Sequence, residues 1–444
     1  MIVRGRWVVK NSREIIEDGA VAIDKNMIVK VGKYDEIKKL AGRDVEVIGD
    51  DKKLVMPGIV NSHTHISMTL LRGYADDLLL QEWLENHIWP YERLMEPEDY
   101  ELGALLGIAE SLASGVTNIC TMYHYHPSKS EVTALMKARM RGTVGIAIFS
   151  WDAERTLKNF VDAVSKYHNF FNIVSIAASP HAPYTVSPDL WRDTEELRKE
   201  LNEKYGSPIP IILTTHVAED WREPALVKER FGVEVPQNSI VKYLDDLGVI
   251  GPHFLGAHGI HLTDLDMDIL AEKGGKIAHN PVANMKLGMG YADTPRMMDK
   301  GINVSLGTDG PASNNTLDML ETMKFAALIN KPLKRDPRVT SARDIFKMAT
   351  ENGAKALGYS NLGVIDVGFL ADITVIDFDK PHLKPVYDVY SHIVYAVRKS
   401  DVYATIVNGK VLYIDGQYTT LDIDDVMHKV ERRAYELAEK VRGG

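Results

Sequence analysis

A (β/α)8 barrel of the α/β class, carrying a small β-sandwich domain built from both chain ends, is the fold this sequence predicts. Three observations carry it. Short apolar runs alternate with longer amphipathic stretches through the middle of the 444-residue chain, which is the βα rhythm of a parallel sheet. Eight such units fit into about 250 residues, the size of a TIM-type barrel. The two ends have a different character: short β-type runs separated by turn residues, too small on either side to stand alone.

The N-terminal runs include Arg6-Trp7-Val8-Val9, Ala20-Val21-Ala22-Ile23 and Met27-Ile28-Val29-Lys30-Val31. Their partners come late, in Ala371-Asp372-Ile373-Thr374-Val375-Ile376 and in 404–413, where Asn408-Gly409 signals a two-residue hairpin. The predicted domains are 1–56 with 360–421 for the sandwich, 57–359 for the barrel and 422–444 for a C-terminal helix. On that helix Val426, Val430, Ala434, Leu437 and Val441 share one face, which should dock on its own subunit. Barrel strands are predicted at 59–65, 116–123, 142–150, 174–181, 209–219, 254–260, 276–281 and 302–310. Amphipathic stretches such as 98–114, 188–205, 263–272 and 315–328 lie between them.

Composition excludes several classes. A net charge of -10 and a pI of about 5.9 disfavour nucleic-acid and anionic-membrane binding. No stretch approaches the roughly 20 apolar residues of a membrane helix. The start, Met1-Ile2-Val3-Arg4-Gly5-Arg6-Trp7, lacks the apolar core of a signal peptide, so a cytoplasmic location is expected. Cys120 is the only cysteine, which rules out an intrachain disulfide and a cysteine metal site.

In a barrel, chemistry sits at the C-terminal strand ends. The first strand ends Ser62-His63-Thr64-His65, and alternate strand residues point the same way, so both imidazoles can face one cation. The fifth ends in His216, with Glu219 just beyond; the sixth ends Ala257-His258; the eighth ends Thr308-Asp309-Gly310. Each alone is more often structural, but together they converge on one rim. Three imidazoles and a carboxylate, with one position left for water, suit Zn²⁺ or another first-row divalent ion such as Fe²⁺. His63, His65, His216 and Asp309 are therefore the predicted ligands of one ion per subunit.

These residues resemble the metal-dependent amidohydrolase superfamily, and within it the 5-methylthioadenosine/S-adenosylhomocysteine deaminase family, archaeal-type 5′-deoxyadenosine deaminases included. The resembling text is Pro57 to His65, Met68-Thr69-Leu70-Leu71-Arg72-Gly73, Glu82-Trp83-Leu84, Pro180-His181-Ala182-Pro183-Tyr184, His279-Asn280-Pro281, Lys286-Leu287-Gly288 and Gly307-Thr308-Asp309-Gly310. The resemblance spans nearly the whole chain and implies hydrolytic loss of the adenine C6 amino group from a small nucleoside, with a homo-oligomeric enzyme expected. A metal brings the pKa of bound water toward neutrality, giving a hydroxide nucleophile. Glu219 is then placed to protonate the purine N1 and to shuttle a proton to the departing ammonia. Asp309 ligates and accepts the proton of the water, and His258 orients the nucleophile. The resemblance also implies that Glu92 holds the ribose hydroxyls, as a carboxylate accepting from a cis-diol can. His181 contacts the base, Trp83 packs on the nucleoside, and Arg155 matches loosely an arginine that holds the S-adenosylhomocysteine carboxylate. A second such arginine is replaced here by Ile146, which implies a preference for small apolar 5′ groups. His124, His126, His168, His253 and His261 match no role, while His279 and Asn280 are expected to support the rim.

Other readings were open. A cyclic-amide hydrolase would use two metals bridged by a lysine at the end of strand four, and that strand ends Ala177-Ala178-Ser179-Pro180-His181. A guanine or cytosine deaminase or a chlorohydrolase would share the ligand set but has no use for Glu92. A non-catalytic barrel would have no reason to keep every ligand. The cytidine-deaminase fold needs a Pro-Cys-x-x-Cys motif, which one cysteine cannot supply.

Overall fold

The computed structural model describes residues 1–41, 44–123 and 129–443; His124 and His126 lie outside the described residues. Eight parallel strands form the barrel: β6 (Ile59–Thr64), β7 (Val116–Tyr123), β8 (Arg141–Ile148), β9 (Val174–Pro180), β10 (Leu213–Val217), β11 (Phe254–His258), β12 (Lys276–His279) and β13 (Asn303–Leu306). They neighbour one another in sequence order from β6 to β13. Every residue of β6 through β12 is buried, as a sheet covered on both faces requires. Most strands begin and end within a residue or two of the sequence expectation. The fifth and eighth do not: 209–219 shortens to Leu213–Val217, and 302–310 to Asn303–Leu306. In the fifth, Pro208 and Pro210 have no N–H to give a central ladder, so the apolar run starts before the strand does.

The barrel closes by side chains as well as backbone. Among the described residues no ladder joins β13 to β6. Asp309 N–H donates to His63 C=O at 3.0 Å, Thr308 N–H to Asn61 Oδ1 at 3.1 Å, and Asn61 Nδ2 to Thr308 Oγ1 at 2.8 Å. Gly307 permits the approach: a Cβ there would stand 2.4 Å from Asn280 Oδ1 and 2.8 Å from His63 O.

The chain ends build one continuous mixed sheet of nine strands. The N-terminal part gives β1 (Ile2–Val9), β2 (Ile15–Asp24), β3 (Met27–Lys33), β4 (Val47–Ile48) and β5 (Lys53–Pro57). The C-terminal part gives β14 (Ile373–Asp377), β15 (Val402–Val407), β16 (Lys410–Ile414) and β17 (Gln417–Tyr418). The expected pairing of the two ends is made by β5 and β14, antiparallel, with Met56 opposite Thr374 and Val55 opposite Val375. Alternation along these strands serves two cores. Trp7, Val9, Leu54 and Met56 pack into the barrel's core, whereas Val8 and Val55 join Val3, Val21, Ile28, Ile373 and Ile406 in a second one.

A buried ion pair ties sheet to barrel. Arg141 opens β8 and is 0% exposed; its Nε and Nη2 donate to the two Asp372 oxygens at 2.8 and 3.0 Å. Asp372 also accepts from Asn408 N–H at 2.8 Å. Removing one member leaves a buried charge without its partner, at a cost of about 3–5 kcal/mol. We expect Asp372→Ala to lower the urea midpoint strongly, and Arg141→Met with Asp372→Leu to recover much of the loss. An unchanged midpoint in Asp372→Ala would show that the pair carries no weight.

The C-terminal helix, Ile423–Gly443, docks on the helix Pro97–Ala113. Val426, Val430 and Leu437 are buried there, with Ala434 and Val441 packed at the edge. Arg433 donates from Nε and Nη2 to Asp99 at 2.6 and 2.9 Å. No helix among the described residues is long and apolar enough to cross a membrane.

Candidate metal centre and active site

The rim gathers the predicted residues from four strand ends. His63 and His65 come from the first strand, with ring centroids 5.0 Å apart. Asp309 Oδ1 lies 3.3 Å from Nε2 of each. His216 Nε2 faces His65 Nε2 at 3.2 Å. One ligand atom from each of His63, His216, His258 and Asp309 falls within 4.8 Å of all the others. His258, expected beside the ligands, is thus as close to the centre as they are.

Tautomers follow from what each ring touches on its far side. His65 Nδ1 reaches Met122 O, His216 Nδ1 reaches His181 O, and His258 Nδ1 reaches Asn284 Oδ1, each at 2.8 Å. A carbonyl oxygen only accepts, so each Nδ1 carries a proton and each Nε2 presents a lone pair. Two lone pairs facing at 3.2 Å between His65 and His216 cannot hydrogen-bond each other. His63 Nε2 and His258 Nε2 are buried without a hydrogen-bond partner. This donor set fits one divalent cation.

The charges agree. Burial lowers His63 to about 4, against the pull of Asp309, and burial with nearby His65 lowers His181 to about 3. Burial and neighbouring imidazoles hold His216 well below its usual value. Burial also lowers His65, but the bond and charge of Asp309, together with Met122 O and Glu92, outweigh this and leave it raised. Burial pushes Asp309 up, yet the bonds from His63 and His65 win and keep it well below the carboxylate range. The second oxygen, Oδ2, accepts from Ser313 Oγ at 2.5 Å.

Glu219 stands at the edge of this group, Oε1 3.7 Å from His258 Nε2. Burial raises its pKa against the opposing pull of His258. A carboxyl so raised can hold a proton and give it up, as a general acid and base must. Three residues here have left-handed backbone: Ala218 at φ +50, His258 at +76 and Asp309 at +64. None is glycine, so the surrounding bonds must hold them there, as is common at reacting sites.

A small cavity opens over the cluster, lined by His65, His181, His216, Glu219, His258 and Asp309 on its polar side. Met68, Leu80, Trp83, Leu84 and Leu287 form its apolar wall. Trp83 and His181 both line the cavity. His181 Nδ1 is bonded to Thr185 Oγ1 at 3.0 Å, and its ring stacks on Phe149 at 4.9 Å. Next to Leu287 in the chain, Lys286 Nζ meets Asp76 Oδ1 at 2.6 Å and Asn315 Oδ1 at 3.1 Å.

Two predicted substrate residues are not brought to the cavity wall. Glu92 is buried, accepts from Tyr123 OH at 2.8 Å, and is pushed by burial up to about 8, well above the usual carboxylate range. Arg155 lies on the exterior, its side chain 55% exposed, with its fork taken by Asp152 three residues earlier. His279 and Asn280 are buried beside the rim: Asn280 Nδ2 is 3.4 Å from His258 Nδ1. Sequence reasoning missed Ser313, four residues after Asp309, and the wall residue Leu80, and gave Leu84 and Leu287, both within quoted motifs, no role. Tyr184 also lines the cavity and was within the quoted Pro180–Tyr184 motif.

A parallel barrel whose C-terminal rim fits one divalent ion, with a protonatable carboxyl beside it, has the architecture of a metal-assisted hydrolase. The amidohydrolase family pattern matches residues 54–412. The chain belongs to that family. It is 42% identical to a 5-methylthioadenosine/S-adenosylhomocysteine deaminase of Thermococcus kodakarensis, over 88% of this chain and 89% of the relative. It is 40% identical to a 5′-deoxyadenosine deaminase of Methanosarcina barkeri, over 98% and 99%. Among solved structures, an adenosine deaminase from Xanthomonas campestris with bound zinc superposes with a TM-score of 0.90 at 28% identity, covering 100% of this chain and 98% of that one.

Proposed function

We propose that this chain is a hydrolytic deaminase of 5′-modified adenosines, converting the C6 amino group to a carbonyl and releasing ammonia. The observation that carries the reading is the pairing of a Glu219–His258 contact of 3.7 Å with the cation-fitting cluster, in a chain 40% or more identical to relatives named for this reaction. His63, His65, His216 and Asp309 would hold one divalent ion. Zinc is our choice, supported by the three-nitrogen, one-oxygen donor set and by the zinc in the Xanthomonas structure. When bound, the ion supplies Lewis acidity, which makes water a competent nucleophile at neutral pH. Glu219 delivers its proton to purine N1, removing the ring's resistance to attack at C6; then ionised, it takes the proton of the new C6 hydroxyl and passes it to the leaving amine. Asp309 accepts the proton that the water gives up. His258, its Nδ1 fixed on Asn284, turns Nε2 toward the water and orients it. The apolar wall excludes bulk solvent from the reacting carbon.

The wall also bears on substrate choice. No lysine or arginine is among the described residues that line the cavity, and Ile146 is buried in β8. An S-adenosylhomocysteine carboxylate would lack a charge-assisted contact there, worth roughly 1.5–3 kcal/mol. The deciding measurement is kcat/KM for 5′-deoxyadenosine, 5′-methylthioadenosine, adenosine and S-adenosylhomocysteine at one pH and salt concentration. We expect the first two to lead and adenosine to follow, because an apolar pocket rejects an added hydroxyl by only about 10². S-adenosylhomocysteine as the best of the four would overturn the specificity. Ammonia from guanine or cytosine, and from none of the four nucleosides, would overturn the deaminase assignment to adenosines.

A further inference from the structure

The loop that carries Glu219 leaves β10 at Val217, and the backbone N–H groups of Ala218, Glu219 and Asp220 then point away from the ladder. One side chain takes all three. Glu223 is 1% exposed. Its Oε2 accepts from Ala218 N–H at 2.9 Å, and its Oε1 from Glu219 N–H at 2.8 Å and Asp220 N–H at 3.4 Å. Its own N–H donates to Asp220 C=O at 3.0 Å and closes the turn.

The loop is also tied through Asp220, whose Oδ1 accepts from Arg222 N–H at 2.9 Å and Arg222 Nε at 3.0 Å. Ala218 is held at φ +50, where an L-residue does not rest unaided. Its carbonyl accepts from Ile260 and His261 N–H, both at 2.9 Å, so the loop is stitched to the one that follows His258. Glu223 supplies the opposite half of the clamp. Burying a carboxyl is unfavourable unless it is well bonded. Burial pushes this one up to about 8, against the downward pull of the three loop amides. Among the described residues no lysine or arginine pairs with it. A buried acid whose every partner belongs to the loop aiming Glu219 is poorly explained as packing.

We propose that Glu223 is a positioning residue for the deamination: it clamps the 218–220 backbone so that the Glu219 carboxyl stays aimed at His258 and the cavity. This rests on Glu219 being the proton carrier described above. The test uses the metal-loaded full chain, with Glu223→Gln, Glu223→Ala and Glu223→Asp made alone and in a Glu219→Gln background. In Glu223→Gln an amide NH2 replaces one acceptor and faces a backbone N–H. We expect bound metal and KM to stay near wild type while kcat falls about 10- to 100-fold, the scale of a small misplacement. Glu223→Asp should recover part of kcat. In the Glu219→Gln background the further loss should be less than about twofold, because the clamp has nothing left to aim. Wild-type kcat in Glu223→Gln would overturn the proposal, as would the same fold loss in both backgrounds, or metal, KM and kcat failing together without rescue by Asp. Amide hydrogen exchange gives a readout free of any substrate: the peptide over 217–222 should exchange faster in Glu223→Ala. Unchanged exchange there would overturn the clamp itself. A wild-type enzyme that deaminates no adenosine would instead overturn the functional reading, with the exchange result still deciding whether Glu223 holds the loop.

Discussion

Asp309→Ala should remove bound metal and activity together. Its Oδ1 is 3.3 Å from both His63 Nε2 and His65 Nε2, so it supplies the negative charge against which three neutral imidazoles gather a cation. Without it the donor set is neutral, and kcat/KM should fall below detection even with added zinc. His216→Ala should behave alike, since it deletes the lone pair facing His65 at 3.2 Å. Elemental analysis beside the ammonia assay reads both quantities on one sample. A variant that keeps a full equivalent of tightly held metal would contradict the proposed ligand set, as would two tightly held ions per active wild-type chain.

The second large effect separates chemistry from metal. Glu219→Gln keeps the size of the side chain, but an amide cannot carry a proton between N1 and the leaving amine. Metal should stay at one equivalent and KM near wild type, while kcat drops about 10²–10⁴-fold, the usual weight of general acid–base help. The contrast with Asp309→Ala is the informative part: one variant is empty and dead, the other full and slow. Near-normal turnover in Glu219→Gln would remove Glu219 from the mechanism.

How much of this was legible beforehand depended on the kind of residue. Barrel strands buried on both faces read as apolar runs ending in polar residues, so β6 to β13 could be found one by one. The same rule overran at 209–212, because an apolar run reports burial and not pairing, and Pro210 interrupts the ladder. Rim residues could be read because His63, His65, His216, Glu219, His258 and Asp309 each fall at a strand end, and their chemistry is rare enough to notice. Wall residues such as Leu80, Leu84 and Leu287 carry no such mark; a leucine in a long connection looks the same whether it meets solvent, core or ligand. Glu223 illustrates a different blindness. In sequence it is an acid opening the helix Glu223–Phe231, which is commonplace. Only the folded loop shows that its carboxyl turns back onto three amides. Arg155 failed for the converse reason: a loose match fixed its residue type but not its direction, and Asp152 was nearer than any cavity.

The placing of β5 has a bearing on how the chain comes to be folded during synthesis. This strand lies inside its sheet, between β1 and β14, and leads within two residues into the strand that bears His63. One of its two neighbours, Ile373–Asp377, is made only near the end of translation. Until then a nascent chain presents β5 with an open edge of the kind that invites wrong pairings. Pairing across so long a stretch of chain is also slow, because the loop between must close first. A chain cut short before residue 373 would therefore keep every residue of the metal cluster, yet lack the anchor for the strand that starts it. Loss of about the last sixth of the sequence, remote from the rim, should then be felt first as aggregation.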